Sequence, residues 1–211
     1  MTRLEKRVRI FAACLAGLAG YVDAIGFIYT GGFFVSFMSG NSTRLGLGVA
    51  EALHDAAIAG GIILSFIAGV AGGSLVGHAA GHRRAPLVLL LIGGLLAASA
   101  VLAEAGVAPA AIGLVALAMG AENAIFERAG ETRVGLTYMT GSLVKVGQGI
   151  AGAMLGRNGS EWLSYLLLWS GFVVGAIAGA AVYPAFQLES LLPASAAALL
   201  FATLSTWLLT D

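Results

Sequence analysis

The chain has 211 residues, 59% of them hydrophobic and only 10% charged, with 31 glycines, one cysteine and a formal net charge of zero. A soluble domain carries about 25% charged residues, so the composition excludes an ordinary soluble protein and fits a chain that lives in lipid. A balanced charge gives no reason to expect a nucleic-acid partner, and the single cysteine, Cys14, excludes an intrachain disulfide.

An apolar helix needs about 20 residues to cross roughly 30 Å of hydrocarbon. Six segments qualify, at about 9–31, 57–80, 86–104, 108–127, 162–185 and 190–209. The first has no small-residue cleavage pattern in a sensible place, so it is read as a retained span rather than a signal peptide. Two further stretches, 36–53 and 136–155, are nearly long enough but carry Asn41, Arg44, Lys145, Gln148 and several glycines. Basic residues near span ends stay on the cytoplasmic side, and this chooses between six spans and eight. Six spans with a cytoplasmic N-terminus put Arg3, Lys6, Arg7, Arg9, Arg83, Arg84, Arg128, Arg133, Lys145 and Arg157 inside, with Arg44 alone outside. Eight spans would move Arg83, Arg84, Arg128 and Arg133 outside. The expectation is therefore six spans with both termini cytoplasmic and with Trp162 and Trp207 at the inner interface.

The chain repeats itself at a distance of about 100 residues. Gly20-Tyr21-Val22-Asp23-Ala24 lines up with Gly120-Ala121-Glu122-Asn123-Ala124, and Met38-Ser39-Gly40-Asn41 with Met139-Thr140-Gly141-Ser142. Arg44 falls opposite Lys145, and Gly46 opposite Gly147. A ladder of glycines four apart, Gly69, Gly73, Gly77 and Gly81, is matched by Gly171, Gly175 and Gly179. Such ladders let helices pack closely in lipid. Three spans per half is an odd number, so the halves must enter the membrane in opposite senses, as in inverted-repeat transporters. The sequence thus reads as one membrane domain over 1–211, with repeat 1 at about 8–105 and repeat 2 at about 108–209.

The polar stretches after spans one and four are expected to dip back as re-entrant or broken half-helices. Irregular backbone at membrane depth is tolerated only when it is buried in protein or lines water. Ser39 and Thr140 are expected to cap these half-helices, whose free N–H groups and partial positive charge would suit an anion or polar solute.

Asp23, near the middle of the first span, costs at least about 2.5 kcal/mol to insert, so it should face the protein interior with a partner. The plain alternative is a hydrogen-bonded carboxyl that only pins two helices. Glu122 and Asn123 occupy the related depth in the fourth span, whereas Glu127 suits an interfacial charge. Arg44 and Lys145 are candidate opposite-charge partners of Asp23 and Glu122. The expected solute-binding residues are Asp23, Asn41, Ser42, Arg44, Glu122, Asn123, Thr140, Ser142 and Lys145, with Thr43 completing the polar run. His78 and His82 stand one turn apart but lack an acidic or cysteine ligand nearby, so no metal is expected. Nor is a cofactor. The chain has no G-x-S-x-G elbow, H-E-x-x-H, P-loop or dinucleotide fingerprint, so it is not read as an enzyme.

The outline G-Y-V-D-A, then F-M-S-G-N, then T-Y-M-T-G-S-L-V-K-V-G, spread over about residues 8–209, resembles the YoaK-like family of small bacterial membrane proteins, a domain of unknown function. Its first motif is commonly Met-Thr-Gly-Asn, here Met38-Ser39-Gly40-Asn41, and its second often keeps an Asn where this chain has Ser142. The resemblance implies a bacterial inner-membrane protein of about six spans and supplies no substrate. Together these readings describe an all-α polytopic protein and a small secondary transporter or channel-like permease for a small polar solute. The alternative is a scaffold or partner subunit assembling through its glycine ladders. The bilayer is the expected partner, and the small size leaves room for a homodimer.

Overall fold

The computed structural model describes residues 6–128, 131–132, 135–156 and 159–209, and the side chains of all of these except Arg128, Glu131 and Thr132. Arg3, Arg133 and Arg157, used above in the charge argument, lie outside the described residues.

The described chain is helical almost throughout. Its elements are α1 (Lys6–Tyr29), α2 (Met38–Glu51), α3 (Leu53–Ala80), α4 (Arg84–Glu104), α5 (Ala108–Glu122), α6 (Met139–Met154), α7 (Trp162–Phe186) and α8 (Leu191–Leu208). Short 3-10 turns at Gly81–Arg83 and Gln187–Ser190 join α3 to α4 and α7 to α8. Three continuous stretches are long and apolar enough to cross a membrane: residues 6–29, a 52-residue run over 53–104, and a 47-residue run over 162–208. Their outward surfaces carry Leu64, Ile67, Leu75, Val174, Ile177 and Trp207, all more than half exposed. In water that surface would aggregate; in hydrocarbon it is solvated.

Two details depart from expectation. The fourth apolar segment ends as a helix at Glu122, not at 127, because Asn123 turns its amide back onto the carbonyls of Met119 and Gly120. Beyond it, β1 (Glu127–Arg128) and β2 (Glu131–Thr132) form a two-residue antiparallel ladder that the all-α reading did not anticipate.

The glycine ladders explain how the helices are arranged. The two most extensive interfaces are α1 with α7 and α3 with α5, so each ladder packs on the first helix of the other half rather than within its own. Gly171, Gly175 and Gly179 lie on the backbone of Ala13, Gly17 and Tyr21, and a Cβ at any of the three would meet a backbone carbonyl oxygen. Gly69 and Gly73 lie in the same way on Leu117 and Ala121, while Gly20 and Gly120 reciprocate against Phe172 and Phe66. Both pairs run parallel, four residues on one helix matching four on the other, which keeps small residues in register over several turns. The last rung of the first ladder, Gly81, ends α3 at a φ of +57°.

Around these pairs α4 packs on α5 and α8, with Ser99 donating to the Ala111 carbonyl at 2.8 Å and Ser195 to the Gly93 carbonyl at 2.7 Å. The contiguous core draws on both halves, with Leu15, Ile25, Leu89, Ile92, Leu96, Met119, Leu168 and Leu191 among its fully buried side chains.

Candidate functional site

The site region begins where α1 ends. Gly31 and Gly32, at φ +70° and +117°, adopt conformations open to glycine and strained for other residues, and they reverse the chain. The Thr30 hydroxyl donates to the Gly26 and Phe33 carbonyls at 2.7 and 2.8 Å and accepts the Phe33 N–H at 3.0 Å, which directs the following residues back along α1. They reach Asp23, six residues before the helix end and thus about 9 Å below it along the axis. There the N–H groups of Val35 and Ser36 both donate to Asp23 Oδ1, at 2.9 and 2.7 Å. Asp23 is 5% exposed, so these bonds form away from water, where hydrogen bonds are electrostatically stronger.

Asn41 completes the return. Its Oδ1 accepts the Phe34 N–H at 3.0 Å and its Nδ2 donates to the Phe34 carbonyl at 2.6 Å, closing a paired contact across the loop. The side chain is fully buried. The expectation that Ser39 caps α2 is corrected: Phe37 occupies the cap position with no side-chain cap bond, and Ser39 points outward, exposed. At α6 Tyr138 stands in the same place and Thr140 is exposed. At α2 the Asn41 side chain, one turn further in, organises the backbone before the helix through Phe34.

Ser42 and Thr43 donate to carbonyls of their own helix, Met38 at 2.8 Å and Ser39 at 3.3 Å, and both are exposed. The Arg44 guanidinium lies over the Phe33 ring, 4.8 Å from its centroid. It also passes close over Gly32, where a side chain would collide with it. The Asp23–Arg44 pair is therefore corrected, because the Asp23 carboxyl accepts backbone amides and the Arg44 guanidinium lies on an aromatic face. Among the described residues the ion pair is Arg84 with Glu127, 3.2 Å apart, reinforced by the Ser74 hydroxyl at 2.6 Å from the same Glu127 oxygen. Glu127 thus joins α3, α4 and the end of α5.

The second half repeats the return with weaker chemistry. Asn123 stands where Asp23 does, and its Oδ1 accepts the Thr137 hydroxyl at 3.1 Å. Ser142, opposite Asn41, is buried and donates only to Tyr138 of its own helix, at 3.4 Å. Lys145 is exposed, so the Glu122–Lys145 pair is also corrected. Glu122 is fully buried, and neither of its carboxyl oxygens has a hydrogen-bond partner among the described residues.

The site residues thus form two clusters, one around 23–44 and one around 122–142. Two cavities lie elsewhere. One, of about 360 Å³, is at the ends of α1, α4 and α7, lined by Tyr29, Glu104, Gln187 and Glu189 among others. The other, about 230 Å³ and apolar, runs between α1, α7 and α8 past Cys14. Sequence reasoning missed Thr30, Val35 and Phe34, which work through backbone groups, and Ser74. The Gly31-Gly32 pair was a usable signal for the reversal.

Comparison with known proteins places the chain against a family described as "Protein of unknown function (DUF1275)", whose profile matches residues 11–205. A curated relative is 37% identical over 206 residues, covering 90% of this chain and 83% of the relative: the "UPF0700 transmembrane protein RA0705" of Rhizobium meliloti (strain 1021). No solved structure matches.

Proposed function

The chain belongs to the DUF1275 family of transmembrane proteins, as the YoaK-like resemblance implied, and on that premise we propose that it is a small secondary transporter or channel-like permease for a small polar solute. In this reading α1, α3, α4, α5, α7 and α8 are the six spans, in two inverted repeats. The membrane is the bacterial inner one, and both termini are cytoplasmic. The observation that carries the reading is the return of the chain to Asp23 before α2. Val35 and Ser36 are bonded at the depth of a mid-helix carboxyl, and α2 then carries Asn41, Ser42, Thr43 and Arg44 within its 14 residues, too polar a run to cross in contact with lipid. It lies antiparallel on α3, Gly48 beside Ala56 and Leu45 beside Gly60. We read this as a re-entrant segment, with the 16-residue α6 after the Asn123–Thr137 contact as its inverted counterpart.

Non-helical backbone at that depth belongs beside protein or water, and here it brings two helix N-termini, α2 and α6, into the membrane interior. Each offers unpaired N–H groups and a partial positive charge to a polar or anionic solute. The alternative, a scaffold assembling through its glycine ladders, has less support, because both ladders are covered by helices of the same chain.

The test is thiol accessibility in vesicles, with Cys14→Ala as background and single cysteines at Ser42 or Thr140. Asn41 is unsuitable because its replacement breaks the paired contact with Phe34. A membrane-impermeant maleimide should label both cysteines, one from each side, and an imposed proton gradient or membrane potential should change the rates. If neither cysteine reacts in inserted, folded protein, the half-helices face no water and transport is abandoned.

A further inference from the structure

We infer that Glu122 is the proton-binding group of this protein and that Asp23, the buried carboxyl of the other half, is a structural anchor. What the proton is used for rests on the transport reading above; that Glu122 holds one does not.

The two carboxyls sit at related places in the repeat and in opposite circumstances. Asp23 accepts two backbone N–H groups, so a negative charge there is compensated in place. Glu122 is 0% exposed, and both of its oxygens lack partners among the described residues. Val115, Ala118 and Met119 share its face of α5 and Ile125 follows in the turn, all buried and apolar. A carboxylate in that setting would carry an uncompensated buried charge, which is far more costly than a neutral acid.

Among the described residues no cation supplies the compensation. Of the elements packed against α5, α3 carries His54, Asp55 and His78, and α4 carries Arg84 and Glu104. On α1 stand Lys6, Arg7, Arg9 and Asp23, and none of these residues forms an ion pair with Glu122. Arg84 is engaged by Glu127 and by the Ala124 carbonyl at 3.3 Å.

A bound metal ion is a poor alternative occupant. Hard cations need about six or more oxygen ligands, and the described residues contain no group of three or more His, Cys, Asp and Glu side chains that could hold one. A proton needs one oxygen and no further ligand. The exchange route is local as well. Glu122 is the last residue of α5 and its carbonyl starts the turn over residues 123–126, accepting the Ile125 N–H at 3.2 Å. Opening that turn would bring water to the side chain. Protonation then forms an O–H bond on one carboxyl oxygen with the proton taken from water, and reversal returns it.

The test is infrared spectroscopy of the purified protein in lipid vesicles, with no solute present. A protonated acid has a C=O stretch that a carboxylate lacks. At neutral pH the wild type should show that band, and carboxyl-13C glutamate, but not carboxyl-13C aspartate, should shift it. Glu122→Gln should remove it and Asp23→Asn should leave it. The isotope experiment needs no variant and so stands even where a substitution prevents folding. Absence of a glutamate acid band at neutral pH, or its survival in folded Glu122→Gln, overturns the proposal. An acid band that shifts with labelled aspartate and not glutamate overturns the division of roles. Failure of the maleimide test alone would sink transport and leave this result standing.

Discussion

After α1 the chain turns back on Asp23, where a charge receives two backbone amides and Asn41 locks the loop by a second pair of bonds. After α5 the same outline returns to Asn123, where a neutral amide accepts one hydroxyl and Ser142 stays within its own helix. A shared sequence pattern therefore does not mean equal contacts. The first half has a rigid loop whose polar groups satisfy one another. Among the described residues of the second, Asn123 meets the returning chain through one neutral bond, and Glu122 has no hydrogen-bond partner.

The ladders are where the halves should behave alike. Gly175→Leu and Gly73→Leu each force a side chain into backbone, at Gly17 and Ala121 respectively. Overpacking typically costs about 1–3 kcal/mol and more where nothing can yield, so both variants should lose the folded, monodisperse species on size exclusion in detergent. A folded variant of either kind would mean that this interface opens. The loops are where the halves should part. Asp23→Ala strands two buried N–H donors, each worth about 1–3 kcal/mol, and should lower the thermal midpoint more than Asn123→Ala, which removes the bond from the Thr137 hydroxyl and the amide's bonds to the Met119 and Gly120 carbonyls, all part-buried. Equal shifts would erase the contrast drawn here.

The same logic makes Asn41→Ala costlier than Ser142→Ala, by about 1–2 kcal/mol, since the first leaves the Phe34 N–H and carbonyl unpaired. Thermal melts of the two variants side by side would check it. Smallest of all, Arg44→Ala should cost about 0.5–2 kcal/mol through its contact with Phe33. Lys145→Ala, at an exposed position, should change stability by no more than about 0.5 kcal/mol. A large effect at Lys145 would show that it has a partner in the membrane-embedded protein.

Much of this was legible in the residues themselves. Hydrophobic length, glycine spacing and the hundred-residue repeat are properties of the chain, because a helix in lipid satisfies its own backbone and needs only apolar side chains to be stable there. They determined the apolar helices to within a few residues, the membrane class, the family, and the pairing of Asp23 with Asn123 and of Asn41 with Ser142 in the repeat. Only the tertiary structure decided what those residues touch. Asp23 could have met Arg44 by charge, yet it meets the N–H groups of Val35 and Ser36, because every residue except proline carries such a donor and no letter of the sequence marks which donor is free. Each ladder could have packed within its own half, yet α3 takes α5 and α7 takes α1, because glycine spacing specifies a close approach and leaves the partner to be chosen by how all eight helices fit together.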